Sequence, residues 1–272
     1  MILGVDVGGT NIDVVVYDSD KNIFHHVETK KTSEILPDFL EYLHRLAIEN
    51  TARAIGIGAA VWLRERKPVF APNLPDLKQL ECLERLRSED IRIVIENDAN
   101  CFALFAATSL GVRNLLGITV GTGVGGGIIF DGKIYRGMGM AGEIGHTVVT
   151  KNGRVCGCGK KGHLEAYFGG RAFFYEGKDP ENITRNGTIY TTEGFEYFCA
   201  SIANAIRILD PEVVALGGRI GMNLDVEIVD KCVQKYLPEY YNTEIVTIKD
   251  EFAVAKGACL VCKEVRGCDK SS

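Results

Sequence analysis

Two segments with the same order of elements, roughly a hundred residues apart, constrain this fold more than any other feature. The first, "ILGVDVGGTNIDVVVYDSDKNIF", predicts a strand, a glycine-rich turn, a second strand, a polar turn and a third strand. The second, "LLGITVGTGVGGGIIFDGKIYRG", repeats that order, with Asp131 and Gly132 in its second turn. Two related hairpins predict two lobes that face a common cleft, and two unrelated hairpins are the alternative.

Helix and strand patterns alternate through the rest of the chain. Apolar residues at helical spacing in "LPDFLEYLHRLAIEN" and "TEGFEYFCASIANAIRILD" predict amphipathic helices, and the runs "RAIGIGAAV", "IRIVIEN" and "EVVALGGRI" predict buried strands. The C-terminal "EFAVAKGACLVCKEV" predicts a helix that returns to the first lobe. The fold class is therefore α/β, with residues 1–110 and 257–270 predicted as the first lobe and 111–256 as the second.

The composition favours a small-molecule ligand over nucleic acid or a membrane. The chain has 272 residues, 46% of them hydrophobic, so it can bury a sizeable core. Its formal net charge is -5, and it has no stripe of basic residues that could bind the phosphate backbone of a nucleic acid. No apolar run is long enough to cross a bilayer. Nine scattered cysteines, with no signal peptide before the first strand, predict a reducing, cytoplasmic location.

The glycine turns predict a phosphate site. "GTGVGG", Gly121 to Gly126, matches the dinucleotide fingerprint, but a strand follows where that fingerprint needs a helix, and no Walker-type Gly-Lys-Ser or Gly-Lys-Thr occurs. The remaining interpretation is a strand-turn-strand cradle whose backbone N–H groups approach phosphate oxygens, with Thr122 adding a hydroxyl. A tight hairpin without a ligand is the alternative. "DVGGTN", Asp6 to Asn11, adds a second such turn and a carboxylate suited to Mg²⁺.

Asp98 is the candidate catalytic base. In "IRIVIENDANCFALFAATSLG" a buried strand is predicted to end at Asn97, and a helix begins just after Asp98. One interpretation is that Asp98 serves only as the helix N-cap. The other is that the strand end points Asp98 into the cleft, where it accepts a proton from a hydroxyl that attacks the γ-phosphate of a nucleotide.

Five motifs, in this order, resemble the ROK family of sugar kinases over nearly the whole chain. They are Asp6-Val-Gly-Gly-Thr10, Asn97-Asp98-Ala-Asn100, Gly121-Thr-Gly-Val-Gly-Gly-Gly127, Glu143-Ile-Gly-His146 with Cys156-Gly-Cys158-Gly, and Leu216-Gly-Gly218. The resemblance implies an actin-like ATPase fold (ribonuclease H-like, hexokinase-type) with two lobes around a central cleft. It also implies ATP with Mg²⁺ and a hexose as substrates, transfer of the γ-phosphate to the sugar 6-hydroxyl, and a homodimer.

The same resemblance assigns roles to individual residues. Asp98 matches the general base. The residues predicted to bind the sugar are Asn97, Glu143, His146 and Glu165, with Asn73 at the edge of the cleft. The residues predicted to bind the nucleotide and its Mg²⁺ are Asp6, Gly8, Gly9, Thr10, Asn11, Gly121, Thr122, Gly123, Gly217 and Gly218.

Two cysteines and two histidines in "AGEIGHTVVTKNGRVCGCGKKGHLE" predict a metal site. Cys156 and Cys158 lie on a glycine-rich turn flanked by His146 and His163, which offers four ligands to one structural Zn²⁺. ROK relatives usually carry a third cysteine where this chain has His163. Free thiols with a surface histidine are the alternative. Zinc bound here would orient His146 and hold the loop that carries Glu143 and Glu165.

Several alternatives stay open at the level of the sequence. The sugar is predicted to be glucose or an N-acetylhexosamine, such as N-acetylmannosamine or N-acetylglucosamine. A sugar sensor without catalysis is an alternative outside the enzyme class, whereas a DNA-binding regulator is disfavoured because no helix-turn-helix precedes Asp6. In "GIGAAVWLRERKPVFAPNLP" the Pro-Gly turn of many relatives is replaced, so Trp62 is predicted to line or partly block the sugar pocket.

Overall fold

The computed structural model describes residues 1–64, 67–70 and 91–268, with the side chains of 264–268 excepted. The chain divides into two units. The first unit contains Met1–Phe105, Gly137–Met140 and the chain from Phe252 onward. The second unit contains Ala106–Arg136 and Ala141–Glu251.

Strands and helices alternate along the described chain. The strands are β1 (Ile2–Val7), β2 (Asn11–Asp18), β3 (Ile23–Lys31), β4 (Ala54–Ala59), β5 (Trp62–Arg64), β6 (Lys67–Phe70), β7 (Arg92–Asn97), β8 (Leu115–Val120), β9 (Val124–Phe130), β10 (Lys133–Ile134), β11 (Val213–Gly217) and β12 (Glu244–Thr247). The α-helices are α1 (Thr32–Ile35), α2 (Phe39–Glu49), α3 (Asp98–Leu110), α4 (Gly170–Tyr175), α5 (Pro180–Arg185), α6 (Glu193–Leu209), α7 (Gly218–Gly221), α8 (Val226–Gln234) and α9 (Ala253–Cys268). Short 3-10 helices span Leu36–Asp38, Ile144–His146, Leu164–Ala166 and Thr188–Thr191.

A five-stranded sheet in the order β3-β2-β1-β4-β7 organises the first unit. The predicted hairpin forms, since β1 and β2 are antiparallel and β2 pairs with β3 in the same way. β4 and β7 then add in parallel with β1. The carboxyl ends of these three parallel strands therefore lie at one edge of the sheet, where ligand-binding residues of α/β folds commonly collect.

Helix α2 covers one face of this sheet with the apolar stripe that the sequence predicts. Phe39, Leu43 and Leu46 are buried at helical spacing in the core of β1, β2 and β4. The helix begins at Phe39, later than the pattern indicates, because Leu36–Asp38 forms a 3-10 turn. Pro37 is tolerated in the first turn of this 3-10 helix because the backbone N–H that it lacks would have no partner within the helix.

Helix α9 packs so closely against the first sheet that its backbone lies next to the backbone of strand β4. A Cβ atom added at Gly56 of β4 would lie 1.9 Å from the backbone oxygen of Ala258 on α9. A glycine is therefore needed at this point of contact, because any side chain would push the helix off the sheet.

A second five-stranded sheet, in the order β10-β9-β8-β11-β12, organises the second unit. The second predicted hairpin forms as well, since β8 and β9 pair antiparallel from Leu115 opposite Ile129 to Val120 opposite Val124. β11 and β12 then add in parallel with β8. Each unit thus contains an antiparallel hairpin extended by two parallel strands.

Helix α6 forms the core of the second unit. Its N-cap is Thr192, whose hydroxyl accepts a hydrogen bond from the backbone N–H of Phe195 at 3.2 Å. It ends at Asp210, which adopts a left-handed backbone with φ 44° directly before Pro211. Phe198 of this helix stacks on Phe168 with ring centroids 4.4 Å apart. This aromatic contact anchors the chain just after Glu165.

Two further observations bear on the predictions from composition. In the described ranges, no helix combines the length and the apolar character that a membrane span requires. The cysteines with described side chains are all free thiols: Cys101, Cys156, Cys158, Cys199, Cys232, Cys259 and Cys262.

Replacing Gly56 by alanine tests the contact between β4 and α9. The added methyl group overlaps the backbone of Ala258, so we expect Gly56→Ala to lower the free energy of unfolding by about 1–3 kcal/mol. Gly121→Ala is the matched control, because a Cβ there meets no atom within 4 Å. Urea denaturation of both variants measures the difference, and equal midpoints would contradict the proposed close contact.

Candidate active site and metal centre

Carboxylates gather where the parallel strands of the first sheet end. Asp6 lies near the end of β1, and Asp98 begins α3 directly after β7. Burial, followed by the negative charges of Asp98 and Asp13, raises the pKa of Asp6 well above its usual range. A divalent cation would relieve this repulsion. Because the nearby donors are carboxylate oxygens, the residues present fit Mg²⁺.

The first turn of α3 is held by Asn97 together with Asp98. The backbone N–H of Asn100 donates to Asn97 Oδ1 at 3.1 Å, and Asn97 Nδ2 donates to the backbone oxygen of Val61 at 3.2 Å. Asp98 Oδ1 accepts a hydrogen bond from the backbone N–H of Ala99 at 2.9 Å. The capping bond that spans the first turn therefore comes from Asn97 and not from Asp98.

Glu96 supports the same turn and was missed by the sequence interpretation. Its carboxylate is buried, with 4% of the residue exposed, and Oε1 accepts hydrogen bonds from the backbone N–H of Asn97 at 3.0 Å and from Asn100 Nδ2 at 2.9 Å. A glutamate inside the buried strand run "IRIVIEN" was the available signal, because buried carboxylates normally have dedicated partners.

The glycine turn between β1 and β2 is fixed by Thr32 at the start of α1. Thr32 Oγ1 donates to the backbone oxygen of Gly8 at 2.7 Å, and the backbone N–H of Thr32 donates to the oxygen of Thr10 at 2.9 Å. The turn closes on itself through Gly8 N–H and the oxygen of Asn11 at 3.0 Å. Gly9 and Thr10 are exposed, so the Thr10 hydroxyl is accessible to a ligand.

The corresponding turn between β8 and β9 is held by the segment around α4. Gly170 N–H donates to the oxygen of Gly121 at 2.7 Å, and Arg171 N–H donates to the oxygen of Thr122 at 2.9 Å. Thr122 itself is exposed. Gly217 ends the neighbouring strand β11 opposite Thr119, so Gly217 and Gly218 lie at the same edge of the second sheet as this turn.

The four predicted metal ligands come together. One ligand atom from each of His146, Cys156, Cys158 and His163 lies within 4.8 Å of the other three. Cys156 Sγ is 3.5 Å from His146 Nδ1, and Cys158 Sγ is 3.3 Å from His163 Nδ1. Zn–S bonds near 2.3 Å and Zn–N bonds near 2.0 Å require ligand atoms about 3.5 Å apart in a tetrahedron, so the donor set fits a closed zinc site.

Burial shifts the pKa of two of these groups. It raises the pKa of the Cys156 thiol to about 12 and lowers the pKa of His146. His146 is therefore held in the neutral form that a metal ligand needs. A metal that binds Cys156 must displace its thiol proton.

Glu143 and Glu165 flank the cluster on different sides. His146 presents Nδ1 to Cys156, while Nε2 lies 3.9 Å from Glu143 Oε2. Glu165 Oε1 lies 3.7 Å from Cys156 Sγ, and its Oε2 accepts a hydrogen bond from the backbone N–H of Val124 at 3.1 Å. The second contact links Glu165 to the β8–β9 turn, which the sequence interpretation did not anticipate.

The predicted residues thus form one group in each unit. The first unit brings together Asp6, Gly8, Gly9, Thr10, Asn11, Asn97 and Asp98 at the ends of β1 and β7. The second unit brings together Gly121, Thr122, Gly123, Glu143, His146, Cys156, Cys158, His163, Glu165, Gly217 and Gly218. Asn73 lies outside the described residues. Trp62 is half-buried at the start of β5, and its ring packs on Phe70 with centroids 5.0 Å apart.

Comparison with known proteins gives consistent matches. The ROK family model matches residues 2–263. A glucokinase of Streptomyces coelicolor is 39% identical over 194 residues, which are 68% of this chain but only 61% of that protein, less than two thirds of its length. An N-acetyl-D-glucosamine kinase of Histophilus somni is 32% identical over 281 residues, which are 88% of this chain and 90% of that protein.

The solved structures agree with the sequence matches. The crystal structure of a ROK hexokinase from Thermus thermophilus superimposes with a TM-score of 0.81 at 27% identity, covering 98% of this chain and 99% of that one. With the family model spanning nearly the whole sequence, the chain belongs to the ROK family and has the actin-like ATPase fold of its hexokinases.

Proposed function

We propose that this chain is an ATP-dependent sugar kinase that transfers the γ-phosphate of ATP to the 6-hydroxyl of a glucose-type hexose. The observation that carries the proposal is the position of Asp98 beside Asp6 at the ends of parallel strands, in a chain that belongs to the ROK family. The glucokinase of Streptomyces coelicolor, at 39% identity, supports the same class of reaction.

In this proposal Asp98 is the general base. It accepts the proton of the 6-hydroxyl as that oxygen attacks the γ-phosphorus, while the bond from phosphorus to the bridging oxygen breaks and ADP leaves. Asp98 is suited to the role because its Oδ1 is held by Ala99 N–H and its carboxylate sits at the N-terminus of α3, which favours the ionised form.

The nucleotide is proposed to bind the two glycine turns. Backbone N–H groups at Gly8–Asn11 and Gly121–Gly123, with the Thr10 and Thr122 hydroxyls, would hold phosphate oxygens. Gly217 and Gly218 would lie near the adenosine. Asp6 would hold the Mg²⁺ that accompanies ATP, and that ion would neutralise charge on the phosphates.

The sugar is proposed to contact Asn97, Glu143, His146 and Glu165. His146 is suited to this because one ring nitrogen faces Cys156 while the other faces outward toward Glu143. Zn²⁺ held by His146, Cys156, Cys158 and His163 would be structural, since four protein ligands leave no open position. Its contribution would be to fix the orientation of the His146 ring.

An N-acetylhexosamine is the second candidate substrate. The N-acetyl-D-glucosamine kinase of Histophilus somni matches 90% of its own length, more than the glucokinase match covers. We propose that Trp62 bears on this choice, because it follows Val61, whose backbone oxygen holds the Asn97 side chain. An aromatic ring at this place would form an apolar wall beside the sugar.

Asp98→Asn tests the assignment of the base. The amide keeps the shape and the contact with Ala99 but cannot accept the proton, so we expect kcat to fall about 10²–10⁴-fold. Sugar affinity, measured by calorimetry, should stay within about threefold because the change is isosteric. Asp20→Asn, at an exposed turn, is the matched control and should leave kcat unchanged. Near-normal turnover in Asp98→Asn would remove Asp98 from the mechanism.

ATP consumption against glucose, mannose, N-acetylglucosamine and N-acetylmannosamine, with Mg²⁺, tests the substrate class. We expect one or more of these sugars to stimulate turnover in the wild type and none in Asp98→Asn. Preference for glucose supports the first candidate, and preference for an N-acetyl sugar supports the second. If sugars bind without turnover, the chain is a sensor and the kinase proposal is wrong.

Metal analysis tests the zinc site. We expect about one zinc ion per chain, and we expect His163→Ala to lose it, because three ligands bind zinc more weakly than four. Chelation should also lower the thermal midpoint of the wild type. His25→Ala, at an exposed histidine on β3, should keep the metal. Less than a small fraction of an ion per chain in the wild type would exclude the site.

A further inference from the structure

One carboxylate contacts both the metal cluster and the glycine turn between β8 and β9. Glu165 Oε1 faces Cys156 Sγ at 3.7 Å, and Glu165 Oε2 accepts from Val124 N–H at 3.1 Å. The carboxylate lies directly on the turn, since a Cβ added at Gly123 would lie 2.0 Å from Glu165 Oε2. A displacement of Glu165 would therefore displace the turn or break its contact with Val124.

A metal bound to these ligands would also restrain the backbone that carries Glu165. His163 is the N-cap residue of the 3-10 helix Leu164–Ala166, so a candidate metal ligand lies two positions before Glu165. The next residue, Leu164, donates its N–H to the oxygen of Thr147 at 3.0 Å. A metal that gathers His163 and Cys156 would thus restrain Glu165 through its backbone and beside its carboxylate.

The same segment continues into the other contacts of the turn. Gly170 and Arg171 donate their backbone N–H groups to Gly121 and Thr122 at 2.7 and 2.9 Å. Between Glu165 and Gly170, Phe168 is fully buried and stacked on Phe198. The chain from the candidate metal ligand His163 to Arg171 is therefore a short connection with backbone hydrogen bonds near both ends.

We propose that Glu165 is a positioning residue that couples the metal cluster to the β8–β9 turn, so that metal binding raises the affinity of this turn for the phosphates of a nucleotide. The inference rests on the proposed function, because it takes the turn to be a phosphate site. The sugar contact proposed above for Glu165 would by itself change sugar affinity and leave nucleotide affinity alone, so the two roles can be measured separately. Each cysteine that binds the metal gives its thiol proton to solvent, and no oxidation is involved.

The test measures binding of AMPPNP, a non-hydrolysable ATP analogue, with Mg²⁺ and without sugar, by calorimetry. Metal-loaded and chelator-treated wild-type proteins are compared, with circular dichroism as the control for folding. We expect metal removal to weaken nucleotide binding about three- to tenfold, the size expected for losing one well-placed hydrogen bond. Equal affinities of the two folded forms would overturn the coupling.

Variants of the metal-loaded protein separate the two roles of Glu165. Glu165→Ala should keep its metal yet bind AMPPNP about three- to tenfold more weakly, and Glu165→Gln, whose oxygen can still accept from Val124 N–H, should recover most of the affinity. Glu193→Ala is the matched control, because the exposed carboxylate of Glu193 accepts a hydrogen bond from Tyr197 Oη on the same helix at 2.7 Å.

If the chelated protein unfolds, AMPPNP binding to these metal-loaded variants tests the proposal in its place. Wild-type nucleotide affinity in metal-loaded Glu165→Ala would overturn the positioning role, whether or not sugar affinity falls. Absence of AMPPNP binding to every form, the loaded wild type included, would overturn the proposed kinase function and this inference with it. Weaker AMPPNP binding in Glu165→Ala, with Glu193→Ala unchanged, supports the coupling.

Discussion

The chemistry proposed for this chain depends on the register of three parallel strands. Asp6 of β1 is paired with Gly58 of β4, and Gly58 is paired with Glu96 of β7. The side chains of Asp6 and Glu96 therefore lie in register on the same face of the sheet, with Gly58, which has no side chain, between them. One position further, Asn97 turns the chain into α3 and Asp98 follows. A shift of one residue would turn these side chains to the opposite face of the sheet.

The two hairpins share a pattern but differ in what holds their glycine turns. Near β1 the turn is held by Thr32, which comes directly after the third strand of the same meander. Near β8 the turn is held by residues 165–171, which follow the candidate metal ligands. The first turn therefore depends only on local folding, whereas the second depends on a loop that has little regular secondary structure. A metal is a means of ordering such a loop.

Local sequence patterns predicted the features that depend on residues close together in the chain. Strand periodicity and turn residues located both hairpins, helical spacing located α6, and ligand spacing identified the cluster of His146, Cys156, Cys158 and His163. Contacts between distant residues and backbone groups were missed. Asn97 binds the oxygen of a residue 36 positions away, and Glu165 binds the N–H of one 41 positions away. Every residue type except proline offers the same backbone donor and acceptor, so such partners cannot be recognised from a sequence.

The packing of α9 has a consequence for the order in which the chain folds during synthesis. The glycine face of β1 and β4 meets Ala255 and Ala258, which leave the ribosome after all of the second unit has been made. Until then Gly4 and Gly56 lack the helix backbone that packs on them. The second unit, whose core is drawn from residues 116 to 245, has its full sequence available earlier. The packing of the first sheet is therefore completed only when the C-terminal helix has been made, and until then the glycine face of β1 and β4 is accessible to chaperones and to incorrect partners.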